Sequence, residues 1–228
     1  MQILVVSTSA MAEEFKAKFP ESNALFVQKY EAVEPLLEQV EVVFDFLLAE
    51  HKEQVPVYAA KPGLVVLFHA VTVQLAAWLQ NQQIACTFVG FNGLPSLFNR
   101  PTLEVTLLLP HHAEVLRSVC SRLGTPYHLV EDRVGMVTPR VLCTIINEAF
   151  YTLQEKIATV PAIDLAMKLG TNYPQGPFEW AEQIGLSNVY KVLKALYSDT
   201  KDERYKICPL LKTKMLQQSL LVTYPRGL

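Results

Sequence analysis

The chain has 228 residues, of which 50% are apolar, and a formal charge of −2, which is enough apolar material for two modest cores. Acidic and basic side chains are interspersed with no basic stripe to release counterions from a phosphate backbone, so no nucleic-acid partner is expected. The most apolar stretch, Gly63 to Leu79, carries His69 and Gln74 and falls short of a bilayer span, so no membrane partner is expected either.

The chain begins MQILVV, and Ile3 to Val6 form an unbroken apolar run that predicts a strand. No basic segment and no small-residue cleavage site precede it, and the expected location is the cytoplasm. Small residues follow, then a helical pattern through Phe15 and Phe19 that Pro20 ends. Ala24 to Val27, Val40 to Leu48 and Leu64 to Phe68 predict three more strands, and their continuous apolar character suits strands covered on both faces. Ala76 to Leu79 falls on a helix after the fourth. Ile84 to Phe91 and Val105 to Leu109 predict two further strands, the second leading through Pro110 into a helix carrying Val115, Leu116, Val119 and Leu123. These elements make an open, mostly parallel α/β sheet.

From Glu131 onward, helix punctuation replaces strand patterns. Thr138 is placed to cap a helix whose first position is Pro139, with Val141, Leu142, Ile145, Ile146, Ala149, Phe150 and Leu153 at helical spacing. Further helices run from Ile163 to a stop at Gly170, from Phe178 to a stop at Gly185, and from Ser187 through Val189, Val192, Leu193 and Leu196. Cys86, Cys120, Cys143 and Cys208 are widely spaced in apolar surroundings and read as buried free thiols. The adjacency of His111 and His112 points them in different directions, and His51 and His128 lack partners at ligand spacing, so no metal site is expected. Tyr173, Pro174, Gly176 and Pro177 read as a rigid connection between helices.

The stretch AIDLAMKLGTNYPQGPFEWAEQIGL, residues 162–186, resembles the helical-domain signature of the 3-hydroxyacyl-CoA dehydrogenase family. The resemblance extends upstream through VEDRVGMVTPRVLCTIINEAF and downstream through ERYKICPLLKTKM. It implies a truncated Rossmann-like domain over residues 1–130 and, over 131–228, an all-helical domain like the C-terminal domain of 6-phosphogluconate dehydrogenase. It also implies a homodimer made through the helical domain, a place in fatty-acid metabolism, NAD as cofactor and an acyl-CoA as ligand.

Toward the N-terminus the resemblance thins. In VVSTSAMA, residues 5–12, Ser7, Ser9 and Ala12 stand where the family has the glycines of GxGxxG, which let backbone approach a diphosphate. Ser7, Thr8 and Ser9 are the candidate cofactor contacts, since their hydroxyls and amides lie at a helix N-terminus. Gln28 occupies the place of the ribose-binding acid, with Glu31 as a poor substitute, and the segment between the third and fourth strands is shorter than the family's. TFVGFNGLPSLFNRPTLEV, residues 87–105, resembles the family's HFFNP followed by LVEV, in which a glutamate orients a catalytic histidine. This alignment sets Val89 in the histidine's place, matches Asn92 and Pro95, and makes Glu104 the glutamate. Pro139 and Ala70 replace two further polar contacts to substrate. The candidate catalytic residues are Glu104, Asn92 and His69, and the expectation is an impaired catalyst that binds an acyl-CoA or a protein partner. An active enzyme with relocated groups and a purely structural dimer are the alternatives.

Overall fold

The computed structural model describes the backbone of residues 1–223 and the side chains through residue 218. Two compact units divide the chain, Met1–Met136 and the residues from Val137 onward. The division falls just after the change of character at Glu131, because the intervening residues are tied to the first unit. Both carboxylate oxygens of Asp132 accept amides, from Leu75 and Ala76, and Gly135 N donates to Val71 O.

The first unit runs β1 (Gln2–Val6), α1 (Ser9–Lys18), β2 (Asn23–Val27), β3 (Val42–Asp45), α2 (Val55–Ala59), β4 (Val65–His69), α3 (Leu75–Trp78), β5 (Thr87–Phe91), β6 (Leu103–Leu107), α4 (Ala113–Arg122) and β7 (Tyr127–Leu129). Its sheet has the order β2-β1-β3-β4-β5-β6-β7, parallel throughout except where β5 meets β6. The central strands carry continuous apolar runs because alternate side chains feed two cores. Leu4, Val6, Val43, Val66, Phe68 and Phe88 enter one, with Tyr58 and Leu75. Ile3, Val5, Phe44, Leu67, Val89 and Phe91 enter the other, with Phe15 and Phe19 of the first helix.

Three strands depart from the sequence expectation. The third was expected over Val40 to Leu48 but ends at Asp45, whose Oδ1 accepts the amides of Leu47 and Leu48 at 2.8 Å each and turns the chain away. The strand expected from Val105 to Leu109 occupies Leu103–Leu107, and the one expected from Ile84 starts at Thr87, since Ala85 N is taken by Ala59 O. β7 was missed: it is three residues long and lacks an apolar run.

The second unit contains α5 (Thr138–Gln154), α6 (Val160–Gly170), α7 (Pro177–Ile184), α8 (Leu186–Thr200) and α9 (Pro209–Thr223). α5 packs against α7, α8 and α9, burying Leu142, Cys143, Ile146 and Phe150 against Trp180, Ile184, Val189, Val192, Leu193 and Leu196. Thr138 is the first residue of α5 rather than its cap, and Val137 takes the cap position. The family-like YPQGP turn is built around Asp164: Phe178 N donates to its Oδ1 at 2.9 Å, and a Cβ on Gly176 would fall 2.2 Å from its Cγ. Gly176 is therefore obligatory for packing.

All four cysteines are free and buried, and burial pushes the thiols of Cys86, Cys120 and Cys143 up to about 12, 11 and 12. Among the described residues no cluster of three or more His, Cys, Asp or Glu could hold a metal ion. No described helix is long and apolar enough to cross a membrane.

Candidate active site

In open α/β sheets, ligands bind outside the carboxyl ends of the strands where strand order reverses. Here that reversal lies between β1 and β3. Ser7 and Thr8 follow β1, and Asp45 ends β3.

At the first of these positions the cofactor candidates are largely committed within the chain. Ser7 is buried, with its amide bonded to Val27 O at 3.1 Å and its Oγ without a hydrogen-bond partner. Thr8 caps α1, its Oγ1 accepting Met11 N at 3.4 Å while its carbonyl accepts Ala12 N. Ser9 Oγ accepts from Gln28 Nε2 at 3.1 Å, so the residue in the ribose acid's place closes onto the phosphate turn. None of Ser7, Thr8, Ser9 or Ala12 has a positive φ, and side chains stand where backbone would have to meet a diphosphate. These residues do not fit a dinucleotide cradle.

At the second position lies a group that sequence reasoning missed. Asp45 is fully buried, and its carboxylate accepts from Tyr30 Oη at 3.0 and 3.1 Å, from Tyr58 Oη at 2.7 Å and from the two amides that end the strand. Burial pushes its carboxyl up to about 6 against the opposing pull of these donors. The same burial, with the carboxylate beside them, raises both tyrosine hydroxyls above their ordinary value. The sequence signal was a single acid inside the apolar run from Val42 to Leu48.

The three catalytic candidates do meet, around Gly93 at the carboxyl ends of β4 and β5. Asn92 N donates to Glu104 O at 2.9 Å, and Asn92 Nδ2 donates to Glu104 Oε2 at 3.3 Å. Asn92 Oδ1 accepts Leu94 N at 3.2 Å, fixing the orientation of the amide. Gly93 N donates to Nδ1 of His69 at 2.9 Å, so that nitrogen is an acceptor and the neutral ring carries its proton on Nε2. A side chain at Gly93 would crowd this contact, since its Cβ would stand 3.0 Å from His69 Nδ1 and 2.9 Å from Phe91 Cε2. The cluster can offer hydrogen bonds to a carbonyl oxygen. A carboxamide cannot pass a proton, and the imidazole's basic nitrogen is already engaged.

The 3-hydroxyacyl-CoA dehydrogenase C-terminal domain family matches residues 135–225. A 3-hydroxybutyryl-CoA dehydrogenase from Bradyrhizobium diazoefficiens is 40% identical over 98 residues, 43% of this chain and 33% of its own length. A probable 3-hydroxybutyryl-CoA dehydrogenase from Bacillus subtilis is 40% identical over 95 residues, 42% of this chain and 33% of its own length. The crystal structure of (S)-3-hydroxybutyryl-CoA dehydrogenase from Ralstonia eutropha superposes with a TM-score of 0.71 at 19% identity, covering 96% of this chain and 94% of that one. Residues 135–225 thus carry the C-terminal domain of the 3-hydroxyacyl-CoA dehydrogenase family. The matched segment spans about a third of the length of these curated relatives, and the structural likeness extends the shared fold through the sheet unit.

The shared fold sharpens the comparison with the family's histidine and glutamate. Val89, aligned with the histidine on sequence, is fully buried in the sheet's core and faces no site. The side chain that reaches Glu104 is Asn92, the first residue beyond β5. Period-two reading of the strand carried this signal: Thr87, Val89 and Phe91 share one face, and Val89 and Phe91 enter the same core.

Proposed function

We propose that this chain is a catalytically impaired member of the dehydrogenase family that works by binding, as a homodimer formed through its helical domain, with an acyl-CoA or a protein as its partner. One observation carries the reading: the glutamate that would orient a catalytic imidazole is bonded instead to the carboxamide of Asn92. Loss of the proton-transfer group coincides with a phosphate turn bridged by Ser9 and Gln28, so the chemistry and the cofactor cradle are missing together. A relocated base at His69 is disfavoured because Gly93 N occupies its Nδ1.

Association through the helical domain is supported by the free face of α6. Ala162, Leu165, Ala166 and Leu169 lie at helical spacing, are exposed, and carry no charge, with Leu165 54% and Leu169 77% accessible. The relatives' activities belong to proteins three times the length of the shared segment, and the fit to an acyl-CoA here rests on the likeness to them. A cytoplasmic location belongs to the same reading.

Purified protein is expected to bind no NADH in a fluorescence titration carried to millimolar cofactor, and to leave 3-hydroxybutyryl-CoA unoxidised with NAD or NADP. Turnover at an enzyme-like rate would overturn the proposal. Acetoacetyl-CoA binding by calorimetry then separates an acyl-CoA ligand from a protein partner.

A further inference from the structure

The sheet of the first unit ends on β2, which pairs with β1 alone. Ser7 N donates to Val27 O, which fixes the alternation of the parallel ladder. Asn23, Leu25 and Val27 therefore turn their amides and carbonyls toward β1, and Ala24 and Phe26 turn theirs to the open edge. The strand reads NALFV and carries none of the usual protections of an edge, having no proline, no charge and no glycine. Phe26 is 37% exposed, with Lys16 Nζ lying 5.0 Å from its ring centroid.

We propose that this edge is an interface between two copies of the chain, in which β2 pairs antiparallel with its counterpart about a twofold axis passing beside Leu25. This goes beyond the reading above, which places association on the helical unit alone. The register follows from the backbone. Residues with outward amides must face one another, and a single register gives both outward residues of each copy a partner, setting Ala24 of one against Phe26 of the other. Leu25 then faces its own copy across the axis as a pair without mutual hydrogen bonds.

Side chains agree with that register. Ala24 and Phe26 are a small residue against a large one, and Phe26 gains cover on its exposed side. Exposed Glu21 lies in the turn before β2 and exposed Lys29 in the bend after it, so the twofold sets the end of each strand that carries the glutamate beside the end of the other copy that carries the lysine, twice by symmetry. A foreign extended peptide could add to the same edge. It would not carry this charge pattern, which favours a second copy of the chain.

The test uses the full chain with Leu165→Glu and Leu169→Glu in place, so that association through the helical face does not contribute. Leu25→Cys is expected to form a disulfide-linked dimer under oxidised glutathione, because opposed residues of this kind bring their Cα atoms to about 4.5 Å. Val27→Cys, which faces Asn23 in the same register, is expected to stay unlinked. Lys29→Glu should weaken self-association in sedimentation roughly threefold to tenfold, and Glu21→Lys with Lys29→Glu should restore it. A folded Leu25→Cys protein that stays unlinked, equal linking of both cysteine variants, or a double swap no better than Lys29→Glu alone each overturns the proposal.

Discussion

A carboxamide and an imidazole can each hydrogen-bond a carboxylate, yet only the imidazole exchanges a proton near neutral pH, so the contact of Asn92 with Glu104 supplies a hydrogen bond without a proton relay. Asn92→His should place an imidazole against Glu104. The adjacent carboxylate favours the charged ring, so its pKa, read by NMR titration, is expected above that of a free histidine near 6.5. An unshifted titration would mean that the Glu104 contact is not kept. Asp45 makes a second prediction with the opposite logic. Its folded pKa, about 6, lies above the ordinary 3.8, so the folded chain holds this proton more tightly than the unfolded one. Its contribution to stability is fully present below the unfolded value and is lost as pH rises through about 6. Urea unfolding of wild type should therefore gain on the order of 2–3 kcal/mol relative to Asp45→Asn between pH 7.5 and pH 4. Parallel pH profiles of the two proteins would exclude the burial argument.

Short helices and strand ends here depend on groups remote in sequence. α3 is a single turn, and its first amides are held by Asp132 from the far end of the unit at 2.7 and 2.8 Å. Asp132→Ala should cost about 1–2 kcal/mol in denaturant unfolding, as loss of an N-terminal cap does elsewhere; an unchanged midpoint would show that the turn is held by packing alone. β5 makes the complementary case for steric fit. A Cβ at Gly90 would stand 2.7 Å from Thr106 Cγ2 and 2.8 Å from Ala70 Cβ, so Gly90→Ala should destabilise by about 1–3 kcal/mol. The strands and long helices were legible because their apolar periods exceed any local alternative, as in Ile3 to Val6 and the stripe from Leu142 to Phe150. β7 and α3 were not legible at their true extent, being too short for a period to show.

For the whole chain, two surfaces on separate units are proposed to associate, and neither is needed to complete the other. Charge on α6 and charge on the β2 edge should act independently, so that each single set of variants lowers the sedimenting mass and the combination gives monomer. A combined variant that sediments no slower than either single set would place association elsewhere.

Patterning was sufficient for the longer strands and helices and for the passage from sheet to helices near Glu131, because these depend on local period and on turn chemistry that each short segment carries, and the likeness of residues 162–186 to a family signature suggested the family. The partner of Glu104, the burial of Asp45 beneath two tyrosines and the outward pair on β2 emerged only in the folded chain. Those features join residues many positions apart, and which side chains meet across a sheet is set by strand order and register, which no local window contains.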